Sequence, residues 1–114
     1  IWVRPMLTVE QFPEECYHPA KTGEGKGRFL DVTNEDVLLY ISAFISRLVE
    51  QGYKMIKHDF TCPDFMGSGF MTHRLAKSGW HFHDRSVTNA QILKNLYQVI
   101  QDAARFLYHR LQHL

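Results

Sequence analysis

The sequence predicts an α/β fold with parallel strands, and three observations predict it. Short apolar runs at residues 1–4, 28–32 and 53–60 read as strands. An amphipathic helical pattern separates the second run from the third, and another follows the third. Each strand candidate also ends on a polar boundary: Arg4-Pro5, Asp31-Val32 and Asp59-Phe60. In parallel α/β folds the active site lies at those C-terminal ends.

Composition bounds the chemistry. The chain has 114 residues, 45% hydrophobic, with a net charge of +1, which is the make-up of one soluble globular unit and gives no reason to expect a nucleic-acid partner. It lacks the run of about 18 apolar residues that a membrane span needs, and its first residues lack a signal-peptide layout. Cys16 and Cys62, far apart, read as free thiols of a reducing compartment, so a cytoplasmic location is expected. Because the chain begins at Ile1 in mid-pattern, it is expected to be part of something longer.

Taken in order, residues 1–4 form a strand stopped by Pro5, which has no N–H to give a ladder. Residues 6–27 show no clear period and gather Pro13, Pro19, Gly23, Gly25 and Gly27; they read as one long loop with a helical turn near residues 8–15. After the strand at 28–32, Thr33 has helix-capping chemistry, with Glu35 and Asp36 at the positive helix end. Val37, Ile41, Phe44, Ile45 and Leu48 then recur on one face until Gly52 stops the helix. Strand, helix, strand is a βαβ unit, so the strands at 1–4, 29–32 and 53–59 are expected to lie side by side, parallel and in that order.

The run Tyr53-Lys54-Met55-Ile56-Lys57-His58-Asp59-Phe60 reads as a buried strand. Alternation places Met55, Lys57 and Asp59 on one face, and Ile56, His58 and Phe60 on the other. A lysine and an aspartate on one face either open onto a polar pocket or pair with each other. Ion pairing therefore stands beside catalysis as a reading of Asp59. Residues 61–86 form a connection rich in aromatic residues, histidine and glycine, the kind of loop that makes a pocket. Thr88 to Gln91 has capping-box spacing, and Ile92, Leu93, Leu96, Val99, Ile100 and Ala103 trace the face of a last helix that Phe106 and Leu107 extend.

Two further constellations stand out. His81-x-His83 with Asp84, and His58 and His73 elsewhere, supplies ligand atoms for a metal. The spacing is weakly specific and no cysteine pair or His-Glu-x-x-His accompanies it, so neither a metal nor another cofactor is expected. Trp2, Phe70, Trp80 and Phe82 are rings on which a sugar can stack or which simply pack, and Arg85 can hold a ligand hydroxyl or pair with Asp84.

Residues 56–60, preceded by Ile1-Trp2-Val3-Arg4-Pro5 and Leu30-Asp31-Val32 and followed by Gly79-Trp80-His81-Phe82-His83-Asp84-Arg85-Ser86, resemble the melibiase-type α-galactosidases. These belong to the clan of retaining glycoside hydrolases that includes families 27 and 36. The most specific parts are Lys-x-Asp at a strand end and Trp-His-Phe-x-Asp-Arg-Ser before a helix. The resemblance implies a partial TIM (β/α)8 barrel, with this chain supplying about strands two to four and helices three and four. Such barrels need ~250 residues.

The resemblance makes Asp59 the catalytic nucleophile and Lys57 a contact to sugar hydroxyls. Trp2, Asp31, Cys62, Trp80 and Arg85 are the further candidates to contact the substrate, an α-galactoside oligosaccharide; Asp31 matches a recurring position of the family, with its role open. The acid/base carboxylate and the first-strand Asp-Asp pair of the family are not among these residues, so the chain alone is expected to be inactive and to self-associate through open sheet edges. Residues 105–114 look foreign to the family. The alternative reading is a non-catalytic carbohydrate-binding α/β piece, or a related α-glycosidase or galactosyl transferase of the same clan.

Overall fold

The computed structural model describes residues 1–67 and 79–112, with side chains through Arg105. Phe70, a candidate stacking ring, and His73, a candidate metal ligand, lie outside the described residues, as do the side chains of Phe106 and Leu107. The fold is α/β. Strands β1 (Trp2–Val3), β2 (Leu7–Thr8), β3 (Gly23–Glu24) and β4 (Gly27–Phe29) precede helix α1 (Glu35–Glu50). Strand β5 (Lys57–His58) and helices α2 (Thr61–Phe65) and α3 (Asn89–Gln112) follow it.

Helix α1 forms where its pattern places it. Asn34, rather than Thr33, caps it by accepting the Asp36 N–H at 2.8 Å. Thr33 instead donates its hydroxyl to Asp31 at 2.6 Å. At the other end Gly52 N–H reaches the Val49 carbonyl and Tyr53 N–H the Leu48 carbonyl, a Schellman closure that requires the left-handed φ of +96° at Gly52. Thr88 starts α3 by accepting the Gln91 N–H at 3.2 Å, but the box is half made, because the Gln91 side chain donates forward to Asn95.

The apolar faces of α1 and α3 pack on each other. Val37, Ile41 and Ile45 meet Ile92, Leu96, Ile100 and Ala103 in one core with Met6, Leu30, Val32, Phe65 and Phe82. Each fully buried aliphatic side chain of this kind contributes ~1.5–3 kcal/mol relative to exposure.

Two sheets lie beside this helix pair. β1 and β5 run parallel, with Trp2 opposite Lys57 and Val3 opposite His58. β4 runs antiparallel between β2 and β3. This corrects the expected order of three adjacent parallel strands: Gly27–Phe29 is not the neighbour of β5. The cause lies in the expected loop, where Gly25 at φ +57° turns β3 tightly back onto β4. A Cβ on Gly23 would sit 2.0 Å from the Gly27 carbonyl oxygen, so this close hairpin needs glycine there. Residues 6–27 thus hold two strands and a 3₁₀ turn at Glu14–Cys16 rather than a loop.

The run 53–60 is likewise shorter as a strand than expected, and it is not the buried strand its pattern suggests: none of its residues is buried, and Tyr53, Lys54, Met55 and Lys57 are exposed. Its partner β1 has only two residues before the chain turns at Arg4-Pro5, so only Lys57 and His58 find a ladder. No helix among the described residues is long and apolar enough to cross a membrane.

Candidate functional site

The parallel register builds the site. Because Trp2 lies opposite Lys57, and Asp59 follows Lys57 by two residues, the three side chains share one face at the C-terminal end of the pair. The Asp59 N–H donates to the Val3 carbonyl at 2.8 Å, which anchors its backbone to β1. The Trp2 indole Nε1 then donates to Asp59 Oδ2 at 2.8 Å, and Lys57 Nζ stands 3.8 Å from the same oxygen. Asp59 Oδ1 accepts the Phe60 N–H at 2.9 Å.

These contacts hold the Asp59 carboxyl below the usual carboxylate range, with the indole hydrogen bond the largest cause, the Phe60 N–H next and the Lys57 charge smaller. The group is therefore an anion at neutral pH. It is open to solvent, with its side chain 36% exposed and that of Lys57 71% exposed, so water screens the ion pair.

Behind Asp59 the chain turns abruptly. Phe60 takes a left-handed φ of +55°, a conformation that residues with a Cβ rarely adopt, and α2 begins at the next residue. Arg4, from the end of β1, lies 4.5 Å from the centre of the Phe60 ring. Its Nε and Nη2 fork the Asp64 carboxylate at 3.0 and 2.8 Å, and Nη1 donates to Glu24 at 2.6 Å. Asp64 is fully buried. Its hydrogen bonds raise the Arg4 guanidinium above its already high value against the opposing effect of burial. Arg4 is legible in the sequence as a charged strand end; Asp64 is not, because its place after Pro63 carries no periodic signal.

Among the described residues, the other expected site residues make no hydrogen bond or ion pair with Asp59. Asp31 is fully buried; its Oδ1 accepts from Thr33 and its Oδ2 from the His83 N–H at 3.0 Å, tying the loop around residue 83 to the start of α1. Cys62 is exposed on α2, with Sγ 4.0 Å from the Tyr97 hydroxyl. Trp80 and Arg85 line a separate cleft of about 320 Å³ with Met66, His81 and Asp84. Asp84 accepts from Ser86 N–H and Oγ, not from Arg85. Phe82 is buried and stacked on Phe65. His83 Nε2 is bonded to the Tyr17 carbonyl, and among the described residues no three histidine, cysteine or acidic side chains are arranged to hold a metal.

His18 is a second residue that the sequence did not reveal. It is buried edge-on to Trp80 and Phe82, with Nδ1 accepting the Ala20 N–H at 3.1 Å. Nε2 is the buried side-chain polar atom left without a hydrogen bond among the described residues; the Phe65 carbonyl interacts with the ring without reaching hydrogen-bond geometry. Burial pushes the imidazole down to about 4.

Compared with family models, curated proteins and solved structures, the chain gives no match.

Proposed function

We propose that this chain carries the nucleophile of a retaining α-galactosidase and forms part of a (β/α)8 barrel completed by other residues, with β1 and β5 as two of its parallel strands. One observation supports this most: an ionised, solvent-open carboxylate, Asp59, stands at the C-terminal end of a parallel strand pair, oriented by Trp2 and by the Phe60 N–H. A nucleophilic carboxylate must be charged before it attacks and held in one direction, and these donors serve both needs.

In the reaction, an Asp59 oxygen attacks the anomeric carbon from the face opposite the leaving group. The glycosidic C–O bond breaks, the leaving oxygen takes a proton from an acid contributed by the rest of the barrel, and an ester joins galactose to Asp59. Water, deprotonated by that same group, releases the sugar with retention. Lys57 and the half-exposed Trp2 border the carboxylate, where they offer a donor and a ring edge to the sugar.

α-Galactosyl fluoride tests this on the chain as it stands, because fluoride leaves without a proton. Mass spectrometry should find one galactosyl unit on the peptide that carries Asp59, and none on the Asp59→Asn variant. Binding of galactose without any covalent label would leave only the carbohydrate-binding reading. In the complete barrel, Asp59→Asn should abolish kcat with little change in KM, and azide should restore turnover to Asp59→Gly.

A further inference from the structure

We infer that Arg4 is a positioning residue for the Asp59 carboxylate: it clasps the Phe60 ring while forking Asp64 on the helix that Phe60 begins. In so doing it fixes the turn on which Asp59 stands. This deepens, and rests on, the reading of Asp59 as the reacting group.

The geometry forms a closed circuit. Asp59 Oδ1 accepts from Phe60 N–H, and Oδ2 from Trp2, whose ring meets the Phe60 ring edge-on at 6.3 Å. Both donors therefore depend on Phe60 as well as on the β1–β5 register: one is its own N–H, and the other packs edge-on against its ring. Phe60 holds a φ of +55° that its own Cβ disfavours, so an external restraint has to maintain it. Arg4 supplies that restraint from two directions. Its guanidinium lies against the Phe60 ring at 4.5 Å, and its fork to Asp64 holds α2, whose first turn is closed by the Asp64 N–H donating to the Phe60 carbonyl at 2.8 Å. Glu24 completes the clamp from the β3–β4 hairpin. Arg4 side-chain exposure is only 11%, so the guanidinium acts through these partners and not on a ligand in solvent.

Two variants separate positioning from simple stabilisation. Arg4→Lys keeps the charge and removes the planar fork. Phe60→Gly keeps the turn, which glycine adopts freely, and removes the clasped ring. On the 114-residue chain, a carbon-13 titration of the Asp59 carboxyl and the resonance and exchange rate of the Trp2 indole N–H are followed together. In both variants the carboxyl should titrate higher and the indole proton exchange faster, and the double variant should move no further than either single one. A folded Arg4→Lys chain with lowered melting temperature but unmoved signals overturns the inference, as does an additive double variant. If Arg4→Lys fails to fold, Arg4→Met combined with Asp64→Leu decides, because it removes the clasp without leaving a buried charge: moved signals support the clamp, unmoved signals overturn it. None of these readouts uses a substrate, so they stand apart from the outcome of labelling with α-galactosyl fluoride.

Discussion

Trp2 and Asp59, 57 residues apart, are joined by a 2.8 Å hydrogen bond from indole nitrogen to carboxylate. That bond is the largest cause of the lowered Asp59 titration, ahead of Lys57. Trp2→Phe should therefore raise the Asp59 carboxyl more than Lys57→Met does, as read by carbon-13 NMR titration. A group whose folded value is depressed contributes stability above its unfolded value and loses it as pH falls through the folded one. The acid limb of unfolding should thus flatten in Trp2→Phe.

His18 gives the chain a second, higher pH dependence. Its imidazole titrates at about 4 in the fold against 6.5 unfolded, because burial disfavours the cation; Asp31 opposes that shift and His83 adds to it. Between these values the unfolded chain binds the extra proton, so stability should be full above about 6.5 and fall as pH drops toward 4. The loss should amount to roughly 3 kcal/mol. Urea unfolding at several pH values should show this slope, and His18→Phe should remove it.

Arg4→Met strands the buried Asp64 carboxylate and should cost ~3–5 kcal/mol in denaturant unfolding. Adding Asp64→Leu should recover much of that loss, since an apolar pair leaves no buried charge behind. Glu24→Gln should cost less, because Glu24 is 23% exposed and water reaches it.

Gly67 and Gly52 both take left-handed φ, +73° and +96°, but differ in their surroundings. A Cβ on Gly52 meets nothing within 4 Å, whereas one on Gly67 would lie 2.7 Å from His18 Nδ1. Gly52→Ala should cost ~1–2 kcal/mol from backbone strain alone. Gly67→Ala should cost ~1–3 kcal/mol more, because the His18 ring is buried and has little room to shift. Melting temperatures of the two variants give the comparison.

What could be read in the sequence follows from how each element is held. α1 and α3 were legible because Val37, Ile41 and Ile45, and Ile92, Leu96 and Ile100, repeat at the helical period and are all buried. β2 and β3 were not, because two residues each show no alternation and the glycines that permit the hairpin look like loop residues. At the site, period two was enough to set Lys57 and Asp59 on one face. Their meeting with Trp2 depends on the register of β1 against β5. The Arg4–Asp64 fork joins residues 60 apart through a turn at Phe60 that no residue type announces.

The parallel pair that carries Asp59 also sets an order of assembly. β1 and β5 share a two-residue ladder between chain segments separated by the whole of α1, so the intervening loop has to close before any ladder hydrogen bond forms. The helix pair gains its contacts over a much larger apolar face. The ladder should thus close late and open first. Amide exchange at Lys57 and Asp59, which donate to the Ile1 and Val3 carbonyls, then reports a local fluctuation and not global unfolding. Every such opening carries Trp2 away from the carboxylate, so the time Asp59 spends aligned is governed by the breathing of one short strand.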